Sequence, residues 1–284
     1  MALSPRQQRE IDYHRDYAAS KAVQKLVPVN FDVIEDERRR PQNAFWSVYD
    51  RLLAMDLKGK RALAPGCGFG EDAIRLARLG AGVEAFDLSP DVVDIARRRC
   101  AEFGYEGVNF GVMPSEALIF ADNSFDLVLF IDILHHVDIP ATMREIVRVL
   151  KPGGRMVGNE LYTHSWMQKN LRESWLVAKA LYPAMRRFIY GDDQPYITPD
   201  EHKIDETEFA AVEAACASFE AQWFNGLVGR LVPDRMWAVA NIDRAMMKAL
   251  GPGGRYAAGR VVFEGVVQKD QARDRIEGAG SASS

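Results

Sequence analysis

The stretch Arg61-Ala62-Leu63-Ala64-Pro65-Gly66-Cys67-Gly68-Phe69-Gly70-Glu71-Asp72 decides the fold. A short apolar strand runs straight into three alternate glycines. A helix then opens at Glu71, carries an apolar stripe of Ala73, Ile74, Leu76, Ala77 and Leu79, and stops at Gly80. This order places a glycine loop at a strand's carboxyl end, where a backbone without Cβ atoms can turn tightly and approach a ligand. A tight turn that binds nothing would read the same locally, so the loop needs support from its surroundings.

Outward from the loop, short apolar runs alternate with longer amphipathic ones. Val83 to Asp87, Val108 to Val112, Asp126 to Ile131 and Arg155 to Asn159 read as further strands. One helix follows Ser89, a candidate cap, with Pro90 in its first turn and Val92, Val93, Ile95 and Ala96 buried. Another spans Pro140 to Leu150 and is closed by Lys151, Pro152, Gly153 and Gly154. Right-handed crossovers then give an α/β fold, a doubly wound and mostly parallel sheet with helices on both faces.

The flanks read as helical caps. Residues 1–57 form an amino-terminal cap, with Trp46, Tyr49, Leu52 and Leu53 as an apolar face above the sheet's upper edge. The core is 58–268, with 161–205 inserted as a helical substrate cap whose series Leu171, Trp175, Ala178, Leu181, Met185 and Phe188 is broken at Pro183. Beyond the cap, a helix near Glu206 to Cys216, a strand near Phe219 to Phe224, a helix near Asp234 to Leu250 and a strand near Gly259 to Val267 complete the core. Residues 269–284 are small and polar and are expected to be disordered. Pro-Gly-Gly-Arg at Pro152 to Arg155 and again at Pro252 to Arg255 reads as two strand-entry turns.

The chain has 284 residues, 48% apolar and 27% charged, which excludes low-complexity and collagen-like chains. A net charge of -4 gives no general attraction to nucleic acid or anionic lipid, so neither is an expected partner and a small molecule is. The segment Met1 to Arg15 is too polar for a signal peptide, and the apolar run Leu127 to Ile131 is too short to cross a bilayer. Cys67, Cys100 and Cys216 lack paired spacing. A reducing compartment, the cytoplasm, is therefore expected, with no metal site.

Asp87 closes the second strand, 21 residues beyond Gly66, where a carboxylate can accept hydrogen bonds from the vicinal hydroxyls of a ribose. Its other reading is a cap for the helix after Ser89. A dinucleotide fingerprint would have its third glycine at position 71, but glutamate stands there. Glu71 and Asp72 would face a pyrophosphate with two negative charges, the wrong sign. A phosphate-free, cationic cofactor avoids that repulsion, although acidic residues also stabilise a helix's first turn without any ligand.

Five segments in order, Gly66-Cys67-Gly68-Phe69-Gly70, Phe86-Asp87-Leu88-Ser89, Asn123-Ser124-Phe125-Asp126-Leu127-Val128, Leu134-His135-His136 and Leu150-Lys151-Pro152-Gly153-Gly154, resemble the class I S-adenosylmethionine-dependent methyltransferases that act on small molecules. The resemblance covers about Lys60 to Glu160. It implies a Rossmann-like methyltransferase fold with a seven-stranded sheet and S-adenosylmethionine as cofactor. By the same resemblance, Gly66, Cys67, Gly68 and Gly70 wrap the methionine part, Asp87 holds the ribose and Leu88 packs on the adenine. Met113, Ser115 and Glu116 border the adenine edge, and Ile131 and Asp132 lie where cofactor and acceptor meet. The chain departs from the family at two places: Ala64 stands where an acid is usual, and Pro114 replaces an aspartate at the adenine edge.

The resemblance implies transfer of a methyl group to a small acceptor by in-line displacement. Alignment then supplies most of the acceleration, and a general base is needed only if the acceptor must lose a proton. Candidate bases are His136 first, then His135, Glu160, Tyr13 and His14, with Tyr17, Tyr162 and His164 nearby in sequence. Each also has an ordinary reading as a helix cap or surface residue. Two other functions share the sheet: a non-catalytic cofactor-binding or partner-binding protein, suggested by Ala64 and Pro114, and a nicotinamide-dependent oxidoreductase, which Glu71 disfavours.

Overall fold

A computed structural model describes residues 3–22, 26–36, 43–162, 164–175, 179, 204–226, 237–267 and 269. Seven strands form one sheet: β1 (Arg61–Pro65), β2 (Gly82–Asp87), β3 (Val108–Val112), β4 (Phe125–Ile131), β5 (Leu150–Leu161), β6 (Cys216–Phe224) and β7 (Arg260–Val267), in the order β3-β2-β1-β4-β5-β7-β6. β7 runs antiparallel to both its neighbours, β5 on one side and β6 on the other, and the remaining pairings are parallel among the described residues.

Alternation along the strands sorts the core onto two faces. Ala62 and Ala64 of β1 and Leu127 and Leu129 of β4 face α3 (Ala44–Leu53) and α4 (Glu71–Arg78). Leu63, Val128, Phe130 and Met156 face the other way, toward α6 (Ile139–Val149) and α8 (Glu206–Ala214). α5 (Pro90–Phe103) carries the chain from β2 to β3. The connection from β1 leads outward to β2, and the chain later returns on the opposite side of β1 to lay down β4. The strand order therefore reverses between β1 and β4, which opens a crevice at their carboxyl ends.

Several expectations change. α3 is capped by Asn43, whose side chain accepts a hydrogen bond from the Trp46 N–H at 2.9 Å. It packs Val48, Tyr49 and Leu52 onto a face of the sheet instead of covering its upper edge, and Leu53 is exposed. The element lying across the carboxyl edge is α1 (Pro5–Ala22), whose Ala18 packs with Val92 and Ile95 of α5 and Phe69 of the glycine loop. Ser89 occupies the N-cap of α5 without a side-chain cap bond.

The first Pro-Gly-Gly-Arg lies inside β5, which begins at Leu150, and the second forms a 3₁₀ turn (Gly251–Tyr256). Of the expected substrate cap, α7 (Trp166–Glu173) is described, Trp175 is exposed, and Ala178, Leu181, Pro183, Met185 and Phe188 lie outside the described residues. The tail beyond residue 269 lies outside them as well; Lys269 itself is anchored by donating from Nζ to the Arg148 carbonyl at 2.8 Å. α9 (Trp237–Leu250) precedes β7. Among the described residues no helix is long and apolar enough to cross a membrane.

Leu52 is 1% exposed and sits in the α3 contact with the sheet. Leu52→Ala is expected to cost about 2–5 kcal/mol, measured by urea unfolding, because the cavity it leaves cannot collapse against a strand.

Candidate active site

The crevice between β1 and β4 contains a cavity of about 250 Å³, lined by Ala64 and Pro65 of β1, the loop Gly66 to Phe69, Glu71, Asp72 and Ala73 of α4, and Leu129 and Ile131 of β4. That is slightly below the roughly 300 Å³ at which small-molecule pockets begin, and is room for one end of a cofactor.

Backbone geometry shapes the loop. Gly68 has φ +50°, and a Cβ there would meet nothing within 4 Å, so its outer side is open to a ligand. Gly66 has φ +59°, and a Cβ there would lie 2.3 Å from Ile133 Cδ1. The first glycine is thus required by packing as well as by conformation.

Asp87 braces this loop from behind. It is buried, and its Oδ2 accepts from the Gly68 N–H at 3.1 Å while Oδ1 accepts from the Ser89 N–H at 3.0 Å. One carboxylate oxygen thus serves the turn into α5, as a cap would, and the other holds the glycine loop. The Met113 N–H donates to the Asp87 carbonyl at 3.2 Å, which brings the segment from Met113 to Glu116 beside β2. Met113 and Ser115 are buried, and Leu88 is half-buried. Glu116 accepts from the Asp138 N–H at 3.1 Å and from Gln7 Nε2 of α1 at 3.3 Å. Gly70 packs toward Phe110 and Ala96, away from the cavity lining.

Beyond β4 the chain turns at Asp132, which has the left-handed φ of +50°. Its carboxylate makes two hydrogen bonds with Arg260, Oδ1 to Nη1 at 2.8 Å and Oδ2 to Nη2 at 2.9 Å. Burial raises the Asp132 pKa, Arg260 opposes that rise and Glu160 adds to it, leaving it above the ordinary value. Asp132 is therefore tied to β7 and absent from the cavity lining, whereas Ile131 is part of it.

Glu160, a candidate base by sequence, is instead a buried anchor of the turn that follows β4. Its side chain is fully buried, and Oε2 accepts from the N–H groups of Ile133 at 2.9 Å and Leu134 at 2.7 Å. Oε1 accepts from the Leu161 N–H at 2.7 Å and lies 2.6 Å from His135 Nδ1. A carboxylate with this many donors has no geometry left for an acceptor molecule. His135 is buried beside it, and Tyr162 is packed among Phe209 and Trp223. The His164 N–H donates to the Ile204 carbonyl at 3.1 Å.

His136 is placed differently. Its Nδ1 lies 3.2 Å from Oε1 of Glu10, a buried residue of α1, and the rings of His135 and His136 are 4.1 Å apart. His14 Nε2 lies 3.6 Å from Glu10 Oε2, and its ring is 6.4 Å from that of His136. Burial lowers the His14 pKa against the raising fields of Asp87 and Glu10, so its neutral form is favoured near pH 7. Tyr13 is half-buried, edge-on to His14 with ring centroids 6.0 Å apart; the Tyr17 side chain lies outside the described residues. Glu10 was not among the residues singled out from the sequence. In a polar helix its carboxylate resembles its neighbours, and only the docking of α1 gives it a partner.

Among the described residues, no group of three His, Cys, Asp or Glu side chains could hold a metal ion.

Residues 63–158 match the family model described as methyltransferase domain. The ubiquinone biosynthesis O-methyltransferase of Methylocella silvestris is 35% identical over 136 residues, 48% of this chain and 53% of that protein. The demethylmenaquinone methyltransferase of Tropheryma whipplei is 31% identical over 175 residues, 59% of this chain and 71% of that protein. The match thus spans about half the length of the first relative and more of the second. In three dimensions the chain is similar to the geranyl diphosphate C-methyltransferase of Streptomyces coelicolor A3(2), at TM-score 0.56 and 17% identity over 95% of this chain and 99% of that one, a likeness of fold.

Removing Glu160 strands three backbone donors and an imidazole. Glu160→Ala is expected to cost about 3–5 kcal/mol, read from urea unfolding. Burial alone would raise the Glu160 pKa, but His135 and the backbone N–H groups outweigh it, so folded Glu160 titrates below its ordinary 4.5. Its contribution is complete above that value and fades as pH falls through the lowered folded one. Glu160→Gln should therefore flatten the acid limb of a stability against pH curve.

Proposed function

The chain belongs to the class I S-adenosylmethionine-dependent methyltransferases, and we propose that it transfers a methyl group from S-adenosylmethionine to a small acceptor with a phenolic hydroxyl. The observation that carries this reading is the open glycine loop at the β1/β4 crevice, held from behind by Asp87. The name of the first relative, an O-methyltransferase of ubiquinone biosynthesis, supports an oxygen acceptor on a ring of that kind. When bound, the cofactor supplies an electrophilic methyl group on a sulfonium sulfur.

The residues fit such a group. Gly68 offers an uncrowded backbone, and Asp87 lies at the end of β2 with its loop already organised. Leu129 and Ile131 give the cavity an apolar wall that excludes water from a sulfonium. Leu88 and the Met113 to Glu116 segment are proposed to border the adenine.

His136 is the proposed general base. With Nδ1–H directed to Glu10, Nε2 would carry the ring's lone pair and would take the proton that the acceptor hydroxyl loses. Glu10 acts through His136 as a positioning residue, and His135, fixed by Glu160, packs behind the ring. Because Glu10 belongs to α1, we assign residues 1–57 in part to a cap over the site and 161–205 to a second cap on the acceptor. Free Cys67, Cys100 and Cys216 support action in the cytoplasm.

Asp87→Ala removes a charged acceptor, and calorimetry with S-adenosylhomocysteine should show affinity reduced by about ten- to a hundredfold. Wild-type protein that binds no S-adenosylhomocysteine would contradict the reading.

A general base typically contributes about 100-fold to 10,000-fold. His136→Ala is accordingly expected to lower kcat within that range, followed as S-adenosylhomocysteine release with a panel of catechols, while S-adenosylhomocysteine affinity stays within about twofold. An equal loss of binding and turnover would assign His136 to cofactor binding instead.

A further inference from the structure

We infer that Asp72, in the first turn of α4, receives the ammonium group of the cofactor's amino-acid end; this rests on the cofactor reading above. Ala64 of β1 lines the cavity and offers no charge, so a zwitterionic end seated there needs an anionic partner from another wall. Two carboxylates line the cavity, Glu71 and Asp72.

Their environments separate them. Glu71 faces an arginine through each oxygen: its Oε1 accepts from Arg99 Nη1 at 2.9 Å, and its Oε2 lies 3.8 Å from Arg75 Nη2. Asp72 is pinned through one oxygen only. Its Oδ1 accepts from Arg75 Nη1 at 2.7 Å and from the Tyr49 hydroxyl, while Oδ2 takes no hydrogen bond among the described residues. Both partners are themselves fixed. Tyr49 is fully buried, and Arg75 donates from Nε to the Asn30 carbonyl at 3.0 Å. A carboxylate held rigidly by one oxygen presents the other at little entropic cost, the arrangement that makes a charge-assisted bond to an ammonium effective.

Burial and the Asp72 charge together raise the Tyr49 pKa well above its ordinary value, so the hydroxyl stays protonated and donates to Asp72. Arg75 remains charged beside the same oxygen. Ala64 leaves space on β1 for the amino-acid end, and α4 supplies the missing acid from the adjacent wall.

The test compares two ligands by calorimetry: S-adenosylhomocysteine, which has the amino-acid end, and 5′-methylthioadenosine, which lacks it. Asp72→Asn should weaken S-adenosylhomocysteine about tenfold or more and leave 5′-methylthioadenosine within about twofold, since only the first ligand loses an ionic partner. The second ligand also reports that the variant is folded. Adding Ala64→Asp to Asp72→Asn should restore part of the lost affinity, again for S-adenosylhomocysteine alone. An unchanged S-adenosylhomocysteine affinity in Asp72→Asn, or equal losses for both ligands, overturns the assignment of Asp72 alone. Wild-type protein that binds neither ligand overturns the cofactor reading together with it.

Discussion

The buried carboxylate of Glu160 is the constraint on which the site depends. At the end of β5 it gathers the N–H groups of Ile133 and Leu134 and the imidazole of His135, and so fixes the turn that follows β4. That turn has two working edges. Ile133 lies against Gly66 and sets the position of the glycine loop, while His136 meets Glu10 of α1. An ion this deeply buried is costly unless every lone pair is used, and the backbone donors supply that compensation.

Asp87 plays the matching part on the other side of the crevice. Its two oxygens join the glycine loop to the turn entering α5, so β2 and β1 present their loops as one unit. Glu160 and Asp87 thus brace the two flanks of the β1/β4 switch point from behind, with their carboxylates engaged by backbone N–H groups. α1 then ties the open edge together, reaching the Met113 to Glu116 segment through Gln7 and Glu116 and the histidine pair through Glu10 and His136.

Acidic residues dominate this neighbourhood, yet they are not equivalent. Glu71 is neutralised by Arg99 and Asp132 by Arg260, while Asp72 meets Arg75 through one oxygen only. The local field is consequently a set of paired charges, which suits a ligand that is zwitterionic at one end and cationic at sulfur better than one carrying a diphosphate.

Much was legible without coordinates. The strand, three glycines and helix from Arg61 onward, the acid closing β2 and the alternation of apolar runs determine a doubly wound sheet and locate its ligand loop, because those signals are local: backbone sterics, side-chain period and turn chemistry. Sequence could not show that backbone donors saturate Glu160, that Asp132 pairs with Arg260 or that Glu10 is buried against a histidine. Nor could it show that α3 lies on the sheet while α1 crosses its edge. Those outcomes depend on which donor a folded chain brings within about 3 Å of a carboxylate. That proximity is set by packing between segments more than a hundred residues apart, as with Glu10 and His136 or Asp132 and Arg260.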